Sequence, residues 1–363
     1  MSGTPGQVTC MGKTYVEWLV RWRYPVLAIC LLLLAVAGSG GQFLAFKTDY
    51  RVFFSKDNPQ LQAFEQLQNT YTKTDNVLFV LAPKDGRVFS NETLASVIEL
   101  TRASWQIPYS IRVDSITNFQ HTEADGDDLT VDDLVPEAGD LDDAALLRIR
   151  DIALGEPLLR NRLISANGQV TGVNVTVQLP DPDVQTGQEV PEVAAHARQL
   201  VDTIRAGNPN LDIYLTGMVM MNNSFPEVSI HDQQTLVPAM FVVVMLTLAL
   251  LLRSFTATLG TVLVIVFSVI TAMGLAGWAG MKLTPPSASS PTIILTLAVA
   301  DCVHILVTFL HAMRRGMDKT SAMVESLRIN LQPVFLTSVT TAIGFMSLNF
   351  SDAPPFRDLG NIV

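Results

Sequence analysis

Two ionisable residues, Asp301 and His304, lie near the middle of an apolar stretch that runs from Ser290 to Leu310. A helix that crosses the hydrocarbon core of a bilayer needs about 20 mostly apolar residues, and this stretch is long enough. A carboxylate at the centre of such a helix costs at least ~2.5 kcal/mol on insertion scales, so it is tolerated where it faces protein or water. Residues at i and i+3 share one face of a helix. The stretch therefore predicts an intramembrane site that contains both side chains.

The chemistry that suits such a pair is proton transfer. Burial in a low dielectric disfavours the charged carboxylate of Asp301, whereas a nearby cation or a water-filled cleft favours it. His304 can share the proton, because an imidazole titrates near neutral pH. Thr340 and Thr341 lie in a later apolar stretch, where their hydroxyls can hydrogen-bond the carboxylate or order water. We predict that these four residues form a proton relay; the alternative is that they only hold helices together by hydrogen bonds.

The apolar residues needed to build this site are unevenly distributed along the chain. Of the 363 residues, 48% are hydrophobic and 16% are charged. One uncharged run lies near the N-terminus, several lie after residue 235, and an ordinary soluble composition separates them. We predict a polytopic α-helical membrane protein with about five spans and an extracytoplasmic α+β domain between the first and second spans.

The predicted organisation follows these runs. Residues 1–24 form a cytoplasmic N-terminus, 25–46 span 1, 47–234 the extracytoplasmic domain, 235–252 span 2, 257–281 span 3, 290–311 span 4, 317–330 an amphipathic segment at the cytoplasmic interface, 331–350 span 5, and 351–363 an outer loop with the start of a sixth span. The apolar residues at the end of the sequence suggest a truncated sixth span and hence a fragment.

The basic residues near the predicted spans agree with this topology. Loops on the cytoplasmic side of a membrane carry an excess of Lys and Arg. Those on the predicted cytoplasmic side are Lys13, Arg21, Arg23, Arg253, Arg314, Arg315, Lys319 and Arg328. For the first span a rival interpretation stays open, because Ala35-Val-Ala37 followed by Gly-Ser-Gly resembles a signal-peptidase site. The apolar run continues to Phe46, past that site, which favours a retained span.

The region between the first two predicted spans has the pattern of an α+β domain. Short apolar segments typical of strands alternate with segments of helical spacing. The order β-α-β followed by β-α-β is that of the ferredoxin-like split unit. The predicted strands are 76–82, 110–117, 169–179 and 211–215, and the predicted helices are 91–105, 142–153 and 190–206, with Ser90 as the N-cap of the first helix.

An acidic segment interrupts this domain. From Glu123 to Asp143 ten acidic residues occur without a single Lys or Arg. Such a run is typical of a solvated loop. A calcium site is the alternative, but the spacing lacks the central glycine and the closing glutamate of an EF-hand. We predict a loop. The ten acids are Glu123, Asp125, Asp127, Asp128, Asp132, Asp133, Glu137, Asp140, Asp142 and Asp143.

Several function classes find no support in the sequence. The three cysteines, Cys10, Cys30 and Cys302, have neither a disulfide framework nor metal spacing. The histidines of the extracytoplasmic region are isolated, and no nucleophile–base arrangement is visible. The basic residues form no nucleic-acid patch. We therefore expect no enzyme activity, no catalytic residue, no cofactor, no metal and no nucleic-acid partner.

Four segments resemble the resistance-nodulation-division (RND) superfamily of transporters. In three of them the likeness is to the third, fourth and fifth spans, and in one it is to the strand pair of the porter domain. The segments are Gly274-Leu-Ala-Gly-Trp-Ala-Gly-Met-Lys-Leu283, Ala298-Val-Ala-Asp-Cys-Val-His-Ile-Leu306, Thr337-Ser-Val-Thr-Thr-Ala-Ile-Gly-Phe-Met-Ser-Leu348 and Leu159-Arg-Asn-Arg-Leu-Ile-Ser-Ala-Asn-Gly-Gln-Val170. The likeness is nearest to the MMPL-type and hydrophobe/amphiphile exporters, relatives of Patched and of the sterol-sensing domain.

This resemblance implies export of hydrophobic or amphiphilic molecules, lipids among them, driven by the proton-motive force across a bacterial plasma membrane. Asp301 matches the relay aspartate of the family, and His304 stands where many relatives have a polar residue. The chain departs from the pattern in having Ala300 where a glycine often precedes the aspartate. It also holds under one of the two repeats, so the implied partners include a second half-repeat or another copy, besides membrane lipids, protons and the substrate.

Two other functions stay open. A sterol-sensing-like receptor or scaffold would bind a lipid without pumping it, and its action would not depend on the proton gradient. An accessory subunit of protein translocation would instead contact polypeptides through residues 47–234.

Overall fold

The computed structural model describes Tyr15 and residues 18–47, 49–71, 75–125, 128–137, 139–180 and 187–363. The predicted cytoplasmic N-terminus therefore lies mostly outside the described residues, as does Cys10. The chain divides into two compact units. We call Met1–Leu61 with Pro226–Val363 the helical unit, and Gln62–Phe225 the α+β unit.

The described α-helices are α1 (Arg23–Gly38), α2 (Pro59–Thr70), α3 (Asn91–Ser104), α4 (Asp143–Gly155), α5 (Glu189–Gly207), α6 (Met218–Gln234), α7 (Leu236–Leu252), α8 (Phe255–Trp278), α9 (Ser290–Arg314), α10 (Lys319–Met346) and α11 (Pro354–Ile362). The described strands are β1 (Ala45–Phe46), β2 (Asn76–Pro83), β3 (Ser110–Asp114), β4 (Gln120–Asp125), β5 (Asp128–Asp133), β6 (Thr171–Val177), β7 (Leu211–Thr216) and β8 (Lys282–Leu283).

A four-stranded antiparallel sheet with the order β3-β6-β2-β7 organises the α+β unit. Numbered along the chain, these strands stand in the order 2-3-1-4, with α3 after the first strand and α5 after the third. This is the topology of the ferredoxin-like split β-α-β unit, as the sequence predicts. Phe79 in the centre of β2 pairs with Val173 of β6 on one side and Leu215 of β7 on the other.

One face of this sheet forms the core of the α+β unit. Side chains alternate between the two faces of a strand, and in β2 the residues Val77, Phe79 and Leu81 are fully buried while their neighbours are half-buried. They belong to one apolar cluster with α3 and α5. The Ser90 side chain accepts a hydrogen bond from the Thr93 backbone N–H, which confirms the predicted N-cap of α3.

The acidic segment is only partly the loop that the sequence predicts, and for its first half that prediction is wrong. Strands β4 and β5 form an antiparallel hairpin in which His121 pairs with Asp132 and Thr122 with Val131. Leu129 and Val131 supply the alternating apolar residues that a short ribbon needs, and the acids beside them remain exposed, so their charges stay solvated. Asp142 is the N-cap of α4, where its carboxylate accepts from the Ala145 N–H. Asp127 lies outside the described residues.

Five helices of the described chain are long and apolar enough to span a membrane. With the α+β region and its antiparallel sheet between the first of them and the rest, they confirm the predicted fold class. The candidate spans are Arg23–Phe43, Met218–Leu252, Phe255–Trp278, Ser287–Arg314 and Lys319–Phe350.

Helix α10 is continuous through residue 330, where the sequence places the boundary between an interfacial segment and the fifth span. Two polar residues of this part of the helix contact the neighbouring helix. Ser326 is fully buried and Asn330 nearly so, and both hydrogen-bond α9. A polar side chain that bonds a neighbouring helix gives the same sequence pattern as one that faces water.

Glycines bring the end of the first span against α8. A Cβ atom added at Gly274 would overlap the Ala37 carbonyl, and one added at Gly277 would overlap the carbonyl of Gly40. The Trp278 indole N–H also donates to the Val36 carbonyl at 3.1 Å. Small residues permit such backbone contact between membrane helices, where lipid provides no hydrophobic force to drive association.

We expect Gly277→Ala to destabilise the protein, because the added methyl must displace the Gly40 backbone; overpacking of this kind costs about 1–3 kcal/mol. Gly260→Ala is the matched control, since it lies on the same helix with no atom near the position of the new Cβ. Thermal unfolding of both purified variants in detergent tests this. Equal melting temperatures would contradict a close helix contact at Gly277.

Candidate functional site

Helices α9 and α10 form an antiparallel hairpin that carries all four predicted site residues. A short link after Arg314 joins them, and the Asp318 carboxylate begins α10 by accepting hydrogen bonds from the backbone N–H groups of Thr320 and Ser321 at 3.0 and 3.1 Å. The bonds from Ser321 hold the pKa of Asp318 below its usual range. This cap fixes where α10 begins, and therefore which of its side chains face α9.

Asp301 lies half-buried on the side of α9 that faces α10. Its Oδ2 accepts a hydrogen bond from the Ser338 hydroxyl at 3.3 Å. This distance exceeds the ~2.7 Å typical of O–H···O bonds, so the contact is weak. No described residue donates a hydrogen bond to Oδ1 in the structure. Among the described residues, the carboxylate therefore has one weak hydrogen-bond partner.

The other predicted site residues do not hydrogen-bond this carboxylate. His304 is exposed one turn below Asp301. The Thr340 hydroxyl donates to carbonyls of its own helix, those of Leu336 and Thr337. Thr341 is half-buried, and its hydroxyl bonds none of the described residues. Their place in a relay stays a prediction.

A second group of polar contacts lies on the same helix pair, closer to the connecting link. The Ser326 hydroxyl donates to the Ile305 carbonyl of α9 at 2.6 Å. The Asn330 amide donates to the Thr308 hydroxyl at 2.8 Å. Asp301, Ile305 and Thr308 follow the i, i+4, i+7 spacing of one helix face. The sequence alone does not single out Ser326, Asn330, Thr308 or Ser338; the only signal for Ser338 is its position in a run of hydroxyl residues.

Comparison with known proteins identifies the family. A sequence model of the MMPL family matches residues 53–363. The chain belongs to the MMPL family. A protein of Methanocaldococcus jannaschii named as a putative membrane protein is similar, with 19% identity over 343 residues that cover 93% of this chain and 84% of the relative. Membership confirms the resemblance drawn from the sequence, and it places the chain among multi-pass, RND-type transport proteins, which are generally not enzymes.

In this MMPL protein the polar contacts divide the α9–α10 hairpin into two parts. Near the link, buried groups form short hydrogen bonds that fix the helices together. Near Asp301, the contact is long and its donor is exposed. Pro333 lies in α10 between these parts and supplies no N–H to the helical ladder. The hairpin is therefore firmly bonded at one end and loosely bonded at the carboxylate.

We expect Asn330→Leu and Thr308→Val each to lower the free energy of unfolding, because each removes one side of the same hydrogen bond. A double-mutant cycle should give a coupling of about 0.6 kcal/mol, and at most ~1.7 kcal/mol, as for other hydrogen bonds between membrane helices. Thr337→Val is the control, since its hydroxyl bonds only the Pro333 carbonyl of its own helix. Denaturation in mixed detergents measures each variant, and additive effects would show that the pair is not coupled.

Proposed function

We propose that this protein exports hydrophobic or amphiphilic molecules at the expense of the proton-motive force, and that Asp301 carries the proton. The observation behind this proposal is the loosely bonded carboxylate within a span of an MMPL protein. An ionisable residue inside a membrane span is costly and is retained mainly where it serves a function.

The Ser338 hydroxyl suits a group that changes its protonation state. A hydroxyl donates to a charged carboxylate, and it accepts from a protonated one. The contact between Ser338 and Asp301 can therefore persist in both states with its direction reversed. We assign Ser338 as a hydrogen-bond partner of the relay and keep His304, Thr340 and Thr341 as candidate members.

The face of the hairpin beside Asp301 must be shielded from lipid. Ser338 is exposed there, and a carboxylate that faced lipid would be costly. We propose that further helices cover this face, supplied by a second half-repeat or by another copy of the chain. We also propose that the protein lies in the bacterial plasma membrane with its N-terminus in the cytoplasm, on the strength of the Lys and Arg residues at the predicted inner ends of the spans.

Asp301→Asn is expected to abolish export while leaving expression intact, because an amide side chain does not bind and release a proton near neutral pH. Uptake of a fluorescent amphiphile is measured in proteoliposomes with an imposed proton gradient, under conditions in which the native sequence is active. Asp352→Asn is the matched control, since Asp352 is exposed and lies outside the candidate spans.

Unchanged export by Asp301→Asn would refute the relay. If the native protein instead acted on the amphiphile independently of the proton gradient, this would favour a lipid-binding protein of the sterol-sensing kind.

Ser338→Ala should slow export by up to roughly tenfold, the lower end of the range for a hydrogen bond to a charged group. Ser338→Thr should restore the rate, because it restores the hydroxyl. Thr337→Val should have no effect, since its hydroxyl bonds the Pro333 carbonyl of its own helix. The pH profile of export provides the second readout: it should change for Ser338→Ala alone. Identical profiles for the alanine and valine variants would remove Ser338 from the relay.

A further inference from the structure

We propose that the α+β unit binds an anionic amphiphile in a cleft on the second face of its sheet, the face that its core helices leave open. The proposal rests on the proposed export of amphiphiles and names the charge and the position of the substrate. The cleft has a volume of about 600 Å³ and lies entirely within the α+β unit. That volume is within the ~300–1,000 Å³ typical of small-molecule sites.

The floor of the cleft is polar and fixed. Asn76 of β2 and Asn174 of β6 point to this face, and the Asn76 amide donates to the Asn174 side-chain oxygen at 2.6 Å. The Asn76 oxygen also accepts from the Met218 backbone N–H at 3.1 Å. These bonds hold the two amides in place on the sheet, so a ligand meets a floor that is already ordered.

One wall of the cleft is apolar. Leu78 of β2, Leu158 and Leu163 contribute to it. The Leu158 side chain is 59% exposed although it is a large apolar group at the cleft margin. Covering such a side chain with an alkyl chain removes apolar surface from water, which favours binding by about 25 cal/mol per Å². The wall therefore selects a ligand with a hydrocarbon part.

The charged residues of the cleft determine which charge the head group of the ligand should carry. Arg112 is already paired with Asp114 of the same strand at 2.8 Å. The Arg162 guanidinium has no ion pair or hydrogen bond with any described residue. The cleft thus presents one unneutralised cation in a chain whose net charge is -10. A guanidinium is suited to a carboxylate or phosphate, whose two oxygens it can bind together.

A photoreactive dodecyl phosphate provides the test, with the same chain on a neutral maltoside head as its comparison. The whole protein in phosphatidylcholine nanodiscs is labelled, and mass spectrometry maps the label to the peptides that contain Leu78 and residues 158–163. We expect the phosphate probe to label the cleft more than the maltoside probe does. Arg162→Gln should lower that labelling by about tenfold, as for loss of a charge-assisted hydrogen bond.

The control is Arg160→Gln, because Arg160 is exposed like Arg162 and lies two residues away, but does not line the cleft. The phosphate probe should label the cleft of this control as strongly as that of the native protein. Arg162→Lys should retain most of the labelling, because it keeps the positive charge. Equal labelling by the two heads, or no effect of Arg162→Gln, would overturn the proposal. Displacement by inorganic phosphate as effective as that by dodecyl phosphate would show a free-anion site instead and also overturn it, as would crosslinks between two copies through the cleft.

The labelling uses no proton gradient, so its outcome is independent of the relay. In the Asp301→Asn variant, the phosphate probe should label the cleft as strongly as in the native protein. Loss of cleft labelling with proton-driven export intact would refute the cleft alone, and labelling without such export would refute the relay alone.

Discussion

The central constraint on this protein is the free-energy cost of a carboxylate within the hydrocarbon core. Asp301 lies near the middle of a mostly apolar span, so its charge must be stabilised by protein or water. Among the described residues, the Ser338 hydroxyl donates to it at 3.3 Å. The proposed role of Asp301 as a proton carrier rests on this weak contact.

Other contacts in the helical unit hold its helices together. Without a hydrophobic force between helices in lipid, contact must come from close approach and from hydrogen bonds. The structure uses both in different places. Gly274 and Gly277 bring α8 against the backbone at the end of the first span. Ser326 and Asn330 bond α10 to α9 near their link. Near Asp301 the described side chains of the two helices share the longer Ser338 contact instead.

The α+β unit shows the same division between a fixed and an open side. Its sheet buries one face under α3 and α5, with Phe79 and Leu81 fully enclosed. The other face carries Asn76 and Asn174, whose side chains hydrogen-bond each other. A sheet in water needs only one covered face to be stable. The second face is therefore not needed for the core of the unit, and it carries the cleft.

The sequence by itself determined the number of apolar spans, the split β-α-β order and the family, because apolar periodicity and short motifs are local properties of a chain. It placed Asp301 within a span for the same reason. Only the tertiary structure decided which hydroxyl meets the carboxylate, since Ser338 and Thr340 belong to one polar run and differ in helix face alone. It also decided that the first acids form a hairpin and that Ser326 and Asn330 face α9, because polar side chains that pair give the same pattern as those that face water.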